Sequence, residues 1–199
     1  MEITDTLYIT NRAEWMSWLL ENHNSAKEIW LIYYRKHTGK PRISYNDAVD
    51  VALCYGWIDS TLKMLDNDRT VQRFSPRRKK SELSEMNKER VRRLIKSGEM
   101  TPAGLDIIKQ HFDVEQSKKE NNPAFKEFVI PDDIIRELKS DPIVWYNFEQ
   151  FPDHYKTIRT GWIEGVRHRP KEFQKRLMYF IKMTRKNKMY GLIQQYFES

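Results

Sequence analysis

The chain has 199 residues, 39 % hydrophobic and 32 % charged, and its six Trp, nine Phe and ten Tyr exclude an intrinsically disordered polypeptide. A single cysteine, Cys54, excludes a disulfide framework; a chain of this length needs none, because folding buries roughly 70 % of its surface. The net charge of +7 is concentrated after residue 60: residues 1–60 are net −2, 61–120 net +5 and 121–199 net +4, so the chain attracts anions such as nucleic acid, phosphate ligands, acidic lipids or acidic proteins.

Leu7 and Ile9 alternate with Tyr8 and Thr10, which predicts a short strand. Asn11 stands three residues before Glu14, a capping box, and Trp15, Trp18 and Leu19 follow at helical spacing, so 11–23 reads as an amphipathic helix. The apolar run Ile29 to Tyr34 reads as a buried strand, ended by Thr38, Gly39 and Pro41. A helix apolar nearly all round follows, with Tyr45, Ala48, Val49, Ala52, Leu53 and Gly56 on one face. Residues 58–65 and 70–75 read as two strands joined by Asp66–Arg69. From Ser81 the pattern turns helical, with Val91, Leu94 and Ile95 as an apolar face and Gly98 as the stop. Thr101 and Pro102 open another helix, to about Phe112. The polar stretch 114–125 reads as a linker. Beyond it, Pro131, Pro142, Pro152 and Pro170 each stand at a helix start, and the stripes Tyr155, Ile158, Trp162, Val166 and Phe173, Leu177, Phe180, Ile181 predict a small all-α array. The expectation is therefore α+β. A small mixed sheet with packed helices occupies 1–113, and an all-α C-terminal region occupies 126–199.

Chemical motifs are sparse. The five histidines show no metal-ligand spacing, and neither a P-loop nor a G-x-G-x-x-G is present, so neither a metal nor a cofactor is expected. Cys54 stands among Ala52, Leu53 and Tyr55 and reads as a small hydrophobe. Two basic features remain. Arg73, Arg77, Arg78, Lys79 and Lys80 fall between a strand and a helix, where guanidinium forks and a helix start can hold an anion. Lys171, Lys175, Lys182 and Lys186 lie opposite the apolar stripe of the last helix, a basic face suited to an anionic membrane or to phosphates. No apolar run approaches the roughly 20 residues that span a bilayer, and MEITDTLYIT does not resemble a secretory signal, so a cytoplasmic location is expected.

The stretches ALCYGWIDS (Ala52 to Ser60), FSPRRKKSELSEMNKERV (Phe74 to Val91) and GEMTPAGL (Gly98 to Leu105), with a tail pattern around Phe148, Ile158, Trp162, Ile163 and Arg176, resemble the YdeI/OmpD-associated family. Leu83 stands where that family usually has Trp. The resemblance runs over about Trp15 to Phe112 and Pro131 to Lys186. It implies a bacterial protein linked to resistance against bacteriocins or cationic antimicrobial peptides, sometimes periplasmic.

Ser84 and Asn87 fall on the apolar face of their helix, so they need hydrogen-bond partners or line a cleft. The cleft reading joins the two motifs: Arg77 holds a small anion, Ser81 and Asn87 donate to it, Asp59 orients Arg77, and Trp57 is an apolar wall. Three functions follow. The first is a non-enzymatic protein binding an anionic ligand or acidic partner in envelope or antimicrobial-peptide stress. The second is nucleic-acid binding through Arg77–Lys80, Arg90, Arg92, Arg93 and the 171–186 lysines. The third is an enzyme acting on a small acidic substrate, with Asp59 as acid or base.

Overall fold

The run IWLIYY is strand β2 (Ile29–Tyr34) of the computed structural model, which describes residues 2–78, 81–113, 124–125 and 127–191. β2 pairs parallel with β1 (Thr6–Leu7) and antiparallel with β4 (Arg69–Pro76). β4 pairs antiparallel with β3 (Trp57–Met64), completing a mixed sheet of order β1-β2-β4-β3. A break in register between Asp59 and Leu62 bulges β3. The chain divides into two compact units, one of Met1–Glu82 and Glu89–Phe125, the other of Leu83–Lys88 and Lys126–Ser199.

In the first unit, one face of the sheet packs on α1 (Arg12–Asn22) and α2 (Tyr45–Cys54). Asn11 caps α1 by accepting from the Glu14 N–H, as its spacing predicts. Every residue from Ala48 to Cys54 is buried, and with Trp15, Leu19, Leu31, Trp57 and Phe74 they form the core. Gly56, at φ +74°, turns the chain from α2 into β3, where a side chain would be strained and would meet Ile107 at 2.9 Å. α4 (Pro102–Ile108) lies so close to the end of α2 that a Cβ on Gly104 would fall on the Cys54 carbonyl. Before it comes α3 (Glu85–Lys96), whose residues from Glu89 onward belong to this unit.

Most of the expected linker lies outside the described residues. Its last two, Ala124–Phe125, form strand β6, which pairs antiparallel with β5 (Phe112–Asp113). The second unit holds α5 (Asp132–Lys139), α6 (Pro142–Gln150), α7 (Asp153–Glu164) and α8 (Pro170–Arg185). Each begins at or just after one of the four prolines. Phe148, Tyr155 and Phe180 meet at its centre with Ile134, Leu138 and Leu177. A Cβ on Gly161 would sit 2.6 Å from the Glu85 side chain, so this glycine admits a close approach. The architecture is α+β, with a small mixed sheet followed by a helical region.

Candidate functional site

β4 ends at Pro76, and the Arg77 N–H donates to the Gly56 carbonyl at 2.9 Å, which fixes Arg77 beside the turn into β3. Arg77 is only 7 % exposed. Nη2 donates to the Ser81 carbonyl at 3.3 Å and to that of Glu82, so the loop after β4 curls around the cation. Nε is buried with no partner, and no carboxylate reaches the group among the described residues. Burial alone pulls the guanidinium below its ordinary pKa. Arg78 beside it is exposed, while Lys79 and Lys80 lie outside the described residues.

The expected cleft is corrected at Trp57, Asp59 and Ser81. Trp57 is no wall: it is 1 % exposed, its indole donates to the His23 carbonyl at 3.1 Å, and its ring meets Trp18 edge-on. Asp59 does not orient Arg77: its Oδ2 accepts from Tyr45 Oη at 2.9 Å and Gln72 Nε2 at 3.2 Å. The Ser81 hydroxyl donates to the Arg78 carbonyl at 2.8 Å, closing the loop around Arg77. Asn87 belongs to the second unit, where its N–H donates to Ser84 Oγ at 3.3 Å.

Arg90, expected on the basic surface, is buried at 2 % exposure. Its Nη1 pairs with Asp50 Oδ1 at 2.6 Å and its Nη2 donates to Asn46 Oδ1 at 2.7 Å. Arg93 pairs with the other oxygen of Asp50, and Arg92 pairs with Glu89 at 2.8 Å. Three cations assigned to a nucleic-acid surface are thus neutralised within the fold. Asp50, which pairs with two of them, is itself 3 % exposed. The one sequence signal for it is an aspartate inside the otherwise apolar run from Ala48 to Cys54.

Asp59 faces the same side of the sheet as Gln72 and Tyr33, and burial pushes its carboxyl above the ordinary range. The Tyr33 hydroxyl is buried without a partner. Cys54, one turn after Asp50 in α2, is buried, and its thiol is pushed up to about 12.

In the second unit, Lys171, Lys175, Lys182 and Lys186 are all exposed along α8, and none forms an ion pair with a described carboxylate. Met178 and Tyr179 are exposed between them. Arg169, Pro170, Lys171, Glu172 and Lys175 line an open hollow of about 580 Å³ at the start of α8. Trp162 of α7 is 40 % exposed, with the Arg176 guanidinium 4.0 Å from its ring centre. Among the described residues, no group of three His, Cys, Asp or Glu could hold a metal ion, and no helix is long and apolar enough to cross a membrane.

A family model described as Domain of unknown function (DUF8412) matches residues 7–107, and one described as Bacteriocin-protection, YdeI or OmpD-Associated matches residues 127–187. No curated protein and no solved structure matches the chain. The stretches Ala52–Ser60 and Phe74–Val91, which resemble the second family, fall within the first match, and the tail pattern from Phe148 to Arg176 falls within the second. The chain belongs to the DUF8412 family over its sheet-bearing half and carries a YdeI/OmpD-associated segment in its helical unit.

Proposed function

We propose that this protein is a non-enzymatic binding protein whose ligand carries a phosphate or carboxylate group, with Arg77 as its anchor. The observation that carries this is the buried Arg77 guanidinium, which has carbonyl partners, an orphaned Nε and no carboxylate. A buried cation without a counter-ion is costly, and an oxyanion on the Nε edge relieves that cost through charge-assisted hydrogen bonds. Exposed Arg78 adds a second cation at the mouth of the loop. The description of the matched second family, bacteriocin protection, is the basis for placing this binding in envelope or antimicrobial-peptide stress.

The test is thermal denaturation in phosphate against chloride at matched ionic strength. A ligand at about a hundred times its dissociation constant stabilises by about 2.7 kcal/mol. Phosphate raises the melting temperature of the parent, raises that of Arg77→Lys less because the fork is lost, and leaves that of Arg77→Met unchanged. An equal rise in parent and Arg77→Met overturns the assignment.

A second reading, nucleic-acid binding, has its own support in the unpaired lysines of α8 beside exposed Tyr179. It requires affinity for a single-stranded oligonucleotide that falls steeply between about 50 and 200 mM salt, and that Lys175→Ala with Lys182→Ala reduces the salt slope by about two.

A further inference from the structure

Tyr33 on β2, Gln72 on β4 and Asp59 on β3 project from three adjacent strands toward the helix side of the sheet. Tyr45, the first residue of α2, closes over them and is 39 % exposed, while Asp59 is half-buried. Apart from the Tyr33 hydroxyl, the donors of this cluster are spent. The Tyr45 hydroxyl hydrogen goes to Asp59, and the two amide hydrogens of Gln72 go to Asp59 and, at 3.4 Å, to the Ser60 carbonyl. Both side-chain donors to Asp59 land on Oδ2, and no other described side chain donates to Oδ1. What remains, besides the one Tyr33 O–H, is acceptors: Asp59 Oδ1, Gln72 Oε1 and the lone pairs of two phenols.

A second observation points the same way. The Tyr33 side chain is 5 % exposed, its hydroxyl has no partner, and the Arg42 guanidinium lies over its ring at 5.7 Å. The chain's own cation already leans on this aromatic wall. We propose that Asp59, Tyr33, Tyr45 and Gln72 form a binding site for a primary ammonium group. The carboxylate meets the charge, the free acceptors take the N–H bonds, and the tyrosine rings flank the alkyl stem. Arg42 competes for the same place. This site neither uses Arg77 nor rests on the anion-binding reading, since its ligand has the opposite charge.

The experiment titrates the full chain with n-butylammonium chloride, using sodium chloride and tetramethylammonium chloride as matched controls, and follows the amide resonances of Tyr45, Asp59 and Gln72. Butylammonium shifts them saturably, and tetramethylammonium, lacking N–H donors, binds about tenfold more weakly or not at all. Arg42→Ala strengthens butylammonium binding several-fold. Asp59→Asn, which keeps an acceptor for Tyr45 and Gln72, weakens it about tenfold or more. Tyr33→Phe weakens it several-fold without lowering the melting temperature, because the hydroxyl it removes has no partner in the fold. Shifts that stay linear and equal in all three salts, in both the parent and Arg42→Ala, overturn the proposal. So does a folded Asp59→Asn or Tyr33→Phe that binds butylammonium as tightly as the parent.

Discussion

Arg90 and Arg77 are both buried in the sheet-bearing unit, yet their surroundings differ in kind. Arg90 faces α2, which supplies a carboxylate at 2.6 Å and an amide oxygen at 2.7 Å. Arg77 faces its own loop, which supplies only carbonyls and leaves Nε bare. In the helical unit, Arg159 also lacks a carboxylate among the described residues and its Nε is likewise buried without a partner, but its charge lies over the rings of Tyr155, Trp162 and Tyr190 and its Nη2 donates to the Tyr190 carbonyl. The inventory of partners, more than depth, separates a structural cation from one available to a ligand.

The comparison breaks most visibly at Asp50. Asp50→Ala leaves Arg90 buried without its carboxylate and takes the partner from Arg93, so it destabilises by about 3–5 kcal/mol in urea titration. Replacing Arg90 by Met in the same background recovers part of that loss, because the uncompensated charge is gone. A cost under about 1 kcal/mol for Asp50→Ala places this pair with ordinary surface ion pairs and removes the contrast with Arg77.

Arg77→Met costs less. It frees the Ser81 and Glu82 carbonyls, worth about 1–2 kcal/mol, while removing a buried charge that nothing neutralises. Urea titration therefore gives a loss well below that of Asp50→Ala, alongside the loss of the phosphate response. A loss as large as that of Asp50→Ala makes Arg77 a structural pin of its loop.

The elements were legible in the sequence where local physics decides them. Ile29–Tyr34 is apolar, aromatic and β-branched at once, and Asn11 with Glu14, or Thr101 with Pro102, carries its own cap chemistry. The site was legible only in part. Arg77, the anchor proposed above, stands out in the sequence because a basic run at a strand end is a local signal. Arg90 was misplaced on the surface, since its burial is decided by Asp50, 40 residues away, on a helix whose polar residue looks incidental. Trp57 looks like a ligand wall because it stands two residues before Asp59 on the same face of β3, yet its ring is packed into the core against Trp18 and its indole is committed to the His23 carbonyl, which a strand period does not encode. Tyr33 and Tyr45 joined the site through sheet register and helix placement, which no spacing along the chain encodes.

Asp59 sharpens the comparison from the acidic side, being half-buried with neutral side-chain donors and no cation in contact among the described residues. Burial raises its folded-state pKa above the ordinary 3.8, so the folded state disfavours the charged form. The parent is then least penalised below that value and loses stability as pH rises through the raised one. Asp59→Asn has no such loss. Its melting temperature therefore gains on the parent's as pH rises from 3.8 through the raised value, and stays level above. A difference that shrinks over this range means that the donors of Tyr45 and Gln72 outweigh desolvation.

Cys54 gives the smallest effect and the cleanest control, because burial is the largest influence on its thiol. It lies one turn beyond Asp50, on the same helix, and burial is the largest cause of a thiol pKa raised from 9.0 to about 12. The reactive thiolate is then about a thousandfold scarcer than for an ordinary cysteine at the same pH. At pH 8 a disulfide reagent leaves Cys54 unlabelled in the native protein and labels it at once in denaturant. Stability is unaffected by this group at neutral pH and falls only as pH climbs from 9.0 toward 12, because there the unfolded chain ionises first. Rapid native labelling means that α2 opens without global unfolding, and then the burial of Asp50 and Arg90 beside it no longer contrasts with the exposed mouth at Arg77 and Arg78.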